Sequence, residues 1–179
     1  MSEHVGIYLD ACCFIDVVKS DIKTHLSNDA ETNVWYIKRL MQAHRDKEVT
    51  LYTSTLSIAE AVHIGKSPVP TNVQNGFETL LTSGQYVHLV QTTPFICMDA
   101  RNLRWVDGIN LKGADSIHLA SAIDRKCTEF ITLDGRFDRI QQWNQKLGAK
   151  SISAILPSET KSLPSKYLQG DLLDDQAKH

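Results

Sequence analysis

Four carboxylates stand where a side chain has more to do than meet solvent. Asp10 closes the apolar run Val5–Leu9, and Asp134 closes the run Glu129–Leu133. Glu60 lies among Ile58, Ala59, Ala61 and Val62, a more apolar setting than a solvated helix face offers. Asp115 follows Gly113 at the start of a small-residue helix. Each acid has a plainer reading when taken alone. Asp10 would cap a helix, Asp115 would complement a helix dipole, and Asp134 would begin an Asp-Gly turn. Four acids on separate elements, two of them closing apolar strands, are harder to explain one at a time. The C-terminal edge of the strands is where open α/β sheets bind ligands. Acids gathered there repel, and some would hold a proton near neutral pH unless a cation compensated them.

The elements that must position these acids alternate between strand and helix. Val5–Leu9 reads as a strand and Ala11–Lys19 as a helix with Phe14, Ile15, Val17 and Val18 as its apolar residues. The polar stretch Ser20–Asn33 reads as a loop or insertion, followed by a helix over Val34–His44 with Trp35, Ile37, Leu40 and Met41 as its stripe. Val49–Thr53 is a second strand, and Ser54–Ser57 offers caps for a helix through Ile64 that carries Glu60. Pro68 and Pro70 break it. Helices over Asn72–Leu81 and Pro94–Trp105 flank a strand at Tyr86–Gln91. Next come a helix over Ser116–Arg125, the strand Glu129–Leu133, a helix over Arg136–Leu147 and a last strand at Lys150–Leu156. Such alternation predicts an α/β fold with a central parallel sheet covered on both faces. Residues 1–156 form the expected domain, and 157–179, with two prolines and mixed charge, form a tail that is either mobile or docked.

Composition narrows the field. The chain has 179 residues, 42% hydrophobic and 22% charged, which is ordinary for one globular domain. A net charge of −2 gives no global pull toward nucleic acid, so any such binding needs a local patch. The four cysteines show no CxxC spacing, and Cys12 and Cys13 sit in an apolar run as small buried residues. No apolar stretch reaches membrane-spanning length and no signal peptide is visible, so the expected location is cytoplasmic.

Four segments carry a family resemblance: IYLDACCFID with Asp10, STLSIAEAV with Glu60, KGADSIHLASA with Asp115, and FITLDGRF with Asp134. In order and spacing they resemble the acidic motifs of the PIN-domain family, and most closely its small bacterial ribonucleases of the VapC toxin type. The resemblance runs from Val5 to Leu156 and implies a three-layer α/β/α fold. It departs at Cys12, where the family often has Ser, Thr or Asn, and in the added lengths Ser20–Asn33 and 157–179.

The resemblance implies a metal-dependent endoribonuclease that hydrolyses RNA phosphodiester bonds. Asp10, Asp115 and Asp134 would hold Mg²⁺ or Mn²⁺, hard ions that prefer oxygen ligands, and Glu60 would complete the catalytic set. Bound metal orients a water, acidifies it and neutralises charge on the attacked phosphate. Thr132 shares a strand face with Asp134 and is placed to bond an acid or a metal water. Arg136 and Arg139, just beyond Asp134, are best placed to meet an RNA backbone. Asp16 and Asp138 are lesser candidates, and Trp105 and Trp143 are read as core rather than as base-stacking platforms. Toxin relatives imply an antitoxin protein partner and a homodimer. One alternative is a non-catalytic PIN-like module that binds RNA or protein. Another arises from Glu60-x-x-His63 and Asp115-x-x-His118, a spacing that di-iron carboxylate bundles use. The strands at Val5–Leu9 and Glu129–Leu133 oppose a bundle, which leaves His63 and His118 as packing residues or supports for the acids.

Overall fold

The computed structural model describes residues 5–22, 28–61, 68–133 and 140–169. Five strands form one sheet: β1 (Gly6–Leu9), β2 (Thr50–Ser54), β3 (His88–Val90), β4 (Glu129–Ile131) and β5 (Ser153–Ile155). Their order is β3-β2-β1-β4-β5 and every pairing is parallel. From β1 the chain winds outward through β2 to β3, then returns to lay β4 and β5 on the other side. The winding direction therefore reverses between β1 and β4, and the carboxyl ends of these two strands flank the crevice where such sheets bind ligands.

Among the described residues seven α-helices cover the sheet: α1 (Ala11–Asp21), α2 (Asn28–Arg45), α3 (Leu56–Glu60), α4 (Thr71–Thr82), α5 (Pro94–Trp105), α6 (Gly113–Asp124) and α7 (Ile140–Gly148). Strand side chains alternate between two cores because successive Cβ atoms point to opposite faces. Ile7, Leu9, Leu51 and Ile131 join Phe14 and Val17 of α1, Ile37 and Leu40 of α2, and Val73 and Leu81 of α4. Tyr8 and Phe130 join Ile96 and Leu103 of α5, Leu119 of α6 and Leu147 of α7. Three α/β/α layers result, with the central strand β1 carrying Ile7, Tyr8 and Leu9 fully buried, as a sheet covered on both faces requires.

Several sequence expectations shift. Asn28–Asn33 is not loop but the first turns of α2. Asn28 and Thr32 are exposed there, so polarity marks a solvent-facing start to the helix; the buried stripe begins at Val34 and continues through Ile37, Leu40 and Met41. The strands β3, β4 and β5 are each three residues long, shorter than their apolar runs. Of the helix expected through Ile64, Leu56–Glu60 is described and His63 and Ile64 lie outside the described residues. Arg136–Arg139, the expected start of α7, also lie outside them. A four-helix bundle is excluded by the parallel sheet.

Helix ends are closed in a repeated way. After α2, Lys47 N–H donates to His44 O and Glu48 N–H to Ala43 O, both at 2.9 Å. After α6, Lys126 N–H meets Ile123 O and Cys127 N–H meets Ala122 O in the same pattern. These are Schellman closures, which need a left-handed residue at C′; Lys47 and Lys126 supply it at φ 61° and 54°.

The stretch from Pro157 to Tyr167 is docked on the domain. Leu163 and Tyr167 enter the α1–α2 core, and Thr160 Oγ1 and Lys161 N–H donate to the buried carboxylate of Glu129 at 2.6 and 3.0 Å. Among the described residues, no helix is long and apolar enough to cross a membrane.

Candidate active site

Asp10 leaves β1 and turns directly into α1. Its Oδ1 accepts from Ala11 N–H at 2.8 Å, and its backbone N–H is held by Ile131 O of β4 at 3.0 Å. The capping role is therefore real, and it leaves Oδ2 to point elsewhere. Thr132, one residue beyond β4, donates its hydroxyl to Oδ2 at 2.8 Å. Cys12 adds a longer thiol contact to the same oxygen at 3.4 Å, and its sulfur accepts from Leu133 N–H at 3.2 Å. The thiol thus ties the ends of β1 and β4 together while Thr132 orders the acid. Cys13 is a buried free thiol, as the apolar context predicts, whereas Cys12 is only partly buried because its sulfur turns to Asp10 and Thr132.

Glu60 arrives on α3, and a hydroxyl network fixes that short helix. Ser54 Oγ accepts from Leu56 N–H at 3.1 Å and bonds Thr92 Oγ1 at 3.0 Å. Thr53 and Ser57 share a hydroxyl bond at 2.7 Å, and Thr55 N–H donates to Val90 O at 2.9 Å. The exits of β2 and β3 are pinned together, and α3 leaves that corner toward the exit of β1.

His118 joins the acids. It is buried on α6, three residues after Asp115, at 1% exposure. Its Nε2 lies 2.6 Å from Glu60 Oε2 and 3.9 Å from Asp10 Oδ1, and its Nδ1 lies 2.8 Å from the hydroxyl of Tyr8 in the middle of the sheet. One ligand atom each from Asp10, Glu60 and His118 falls within 4.8 Å of the others. Burial alone would lower the pKa of His118. The hydrogen bond to Glu60 and the charges of Asp10, Glu60 and Asp115 outweigh it and carry the imidazole above the ordinary histidine value. Asp115, partly buried in the first turn of α6, therefore belongs to the same electrostatic neighbourhood. Tyr8 is pushed well above the usual tyrosine value, first by burial and then by the charge of Asp10, so its hydroxyl stays protonated.

The signal that marks His118 in the sequence is its i, i+3 spacing from Asp115, which puts both on one face of α6. The spacing was visible without showing that Glu60 would arrive opposite. Asp16 lies elsewhere on α1, 3.5 Å from Lys19. Asp134, Arg136, Asp138 and Arg139 lie outside the described residues. Trp105 is not core: it is 72% exposed, with the guanidinium of Arg101 4.6 Å from its ring centroid.

The donor set suits a divalent cation. Asp10 and Glu60 supply the hard oxygens that Mg²⁺ or Mn²⁺ prefers, and the ligand atoms of Asp10, Glu60 and His118 are close enough to share one centre. A cation would replace the proton that otherwise moderates the repulsion of Asp10 and Glu60.

Among curated proteins none matches the chain. PIN domains are in general metal-dependent nucleases. Residues 7–142, from the first core residue of β1 into α7, match the family model of the PIN domain, and the chain belongs to that family.

Proposed function

We propose that the protein is a metal-dependent endoribonuclease of the VapC toxin type. The carrying observation is the convergence of Asp10, Glu60 and His118 at the carboxyl ends of β1, β2 and α3, beside the crevice where the winding of the sheet reverses. Asp115 on α6 and Asp134, three residues beyond β4, complete the acidic set, with Asp10, Asp115 and Asp134 as the ligands of Mg²⁺ or Mn²⁺. The bound ion supplies charge neutralisation at the attacked phosphate and a more acidic water.

The protein's own residues do the positioning. Thr132 holds Asp10 Oδ2, and Tyr8 orients His118, which in turn holds Glu60 Oε2. Hydrolysis adds water across one P–O bond; the carboxylates hold that water and accept its proton. Arg136 and Arg139, just after Asp134, meet the flanking phosphates of the strand. A cytoplasmic toxin of this kind would act as a homodimer and be silenced by an antitoxin.

The test is cleavage of a labelled single-stranded RNA by purified protein. Cutting is expected with Mg²⁺ or Mn²⁺ and none in EDTA. Asp115→Asn keeps the side-chain shape, removes one charge and should abolish cutting. Without metal its thermal stability should hold or rise, because repulsion among the acids is relieved. Cleavage that survives EDTA, or normal cutting by Asp115→Asn, defeats the metal mechanism. The toxin assignment is tested separately, by growth arrest on induced expression and its relief by the product of an adjacent gene.

A further inference from the structure

A second cavity lies at the opposite edge of the sheet, where the strands begin. It encloses about 490 Å³ between the last turn of α2, the start of β2 and the start of β3, and its lining includes His44, Arg45, Lys47 and His88. No carboxylate is among the described residues that line it. The segment Arg45-Asp46-Lys47-Glu48 alternates in charge, yet both acids are engaged on the docked tail. Asp46 accepts from the hydroxyl of Tyr167 at 2.8 Å, and Glu48 pairs with Lys166 at 2.5 Å. The two cations are left to the cavity.

Two imidazoles, His44 and His88, stand in the wall. His44 and His88 meet edge to face with centroids 4.8 Å apart, and Tyr52 leans on His88 at 5.9 Å. Arg45 lies over Tyr86, 5.6 Å from its centroid, so its guanidinium is steadied without being neutralised. His44 Nδ1 faces Leu51 N–H at 3.3 Å. Val49 O lies equally close to Nδ1, at 3.3 Å, so this nitrogen is committed to the backbone of β2 and its entry whichever tautomer the ring takes. Every buried side-chain nitrogen or oxygen among the described residues has a partner. Nε2 makes no hydrogen bond among the described residues, so it is not one of these buried atoms and stays accessible. The carbonyl end of α2 would repel an anion, but the Schellman closure already occupies the Ala43 and His44 carbonyls.

We propose that this cavity binds the 5′-phosphate and base of a nucleotide, free or at the end of a strand. The Arg45 and Lys47 cations match the near-double charge of a phosphate monoester, the imidazole rings of His44 and His88 match a planar base, and the volume suits one nucleotide. A metal ion fits poorly, because one imidazole nitrogen is committed to Leu51 and two cations stand beside the others. The site is remote from the acids and does not depend on the nuclease reading.

The experiment is calorimetric titration of the full chain in EDTA, which removes any metal-mediated phosphate binding at the acidic cluster. The probes are 5′-AMP, inorganic phosphate, adenosine, and a dinucleotide bearing a 5′-phosphate. Binding of AMP or of the dinucleotide, each well above phosphate and adenosine, is expected; which of the two binds tells whether the source is a free nucleotide or a strand end. Arg45→Gln and Lys47→Gly should each weaken binding about tenfold. Glycine suits the left-handed position of Lys47, so that variant should fold at least as stably and its loss of binding cannot be charged to misfolding. No binding of either nucleotide overturns the proposal. So does phosphate binding as well as AMP, which removes the ring, or adenosine binding as well as AMP, which removes the charge. Unchanged affinity in both variants overturns it too.

Discussion

At the scale of single residues, Tyr8 and His118 decide how the acids are held. Tyr8 is fully buried, stacked on Phe130 with centroids 5.4 Å apart, and its hydroxyl has the imidazole as partner. Tyr8→Phe keeps the stack and deletes one hydroxyl, leaving Nδ1 of a buried imidazole unmet. Such a loss costs about 1–3 kcal/mol, and each kcal/mol lowers the melting temperature of a domain this size by about 2–4 °C. Calorimetry should show that drop, and RNA cleavage should fall further than stability does because His118 is no longer fixed against Glu60. A variant with unchanged melting and unchanged cleavage would show that the hydroxyl steadies nothing. Legibility in the sequence divides along the same line. Asp10 was readable because it ends an apolar run, and Glu60 because its neighbours are apolar. His118 is legible only as a packing residue or a support for the acids, since its partners Tyr8 and Glu60 are 110 and 58 residues away in the chain.

At the scale of elements, His44 couples α2 to β2. It sits in the last turn of the helix, and its Nδ1 meets Leu51 N–H of the strand. Burial, aided by the neighbouring charge of His88, holds its pKa below the ordinary 6.5 against the opposing pull of the Val49 carbonyl. The folded protein therefore binds fewer protons here than the unfolded chain once the pH drops below about 6.5, and stability falls with it. The contribution is full above that value and is lost as pH descends through the folded pKa. Urea unfolding of the native protein and of His44→Gln should show the native advantage shrinking as the pH falls below about 6.5. An advantage that is constant or grows toward acid would contradict a buried neutral imidazole. Elements were more legible than their boundaries. Pro94–Trp105 was read to the residue because Thr93 caps it, accepting from Ile96 N–H at 3.3 Å, and proline opens it. The start of α2 was misread because polar residues on an exposed helical turn look like loop when only hydrophobic period is used. The strands β3 and β5 are the two edges of the sheet, each paired on one side only. Asn144 of α7 partly makes up for this at β5 by bonding both Ala154 N–H and Ala154 O.

At the scale of the molecule, the segment after Leu156 joins the domain rather than merely following it. Its two apolar anchors, Leu163 and Tyr167, are each 7% exposed. Its polar anchor is Glu129, an acid in the first position of β4, where the sequence suggested an ordinary buried strand. Glu129 is itself only 7% exposed, and a buried carboxylate persists only where donors satisfy it. Here those donors are Thr160 Oγ1 and Lys161 N–H, so strand and tail depend on each other. A double cycle tests this by comparing Glu129→Gln in the full chain and in a chain ending at Leu156. In the full chain the substitution replaces charge-assisted bonds and should cost about 1–3 kcal/mol in urea unfolding. In the shortened chain, whose stability should already be lower, the donors are gone; Gln removes a poorly solvated charge and should be neutral or stabilising. The reversal is the diagnostic result, because loss of Leu163 and Tyr167 would lower stability without changing the effect of position 129. An equal cost in both backgrounds would mean that Glu129 does not hold the tail, and that the segment docks through Leu163, Tyr167 and the contacts of Tyr167 and Lys166 with Asp46 and Glu48.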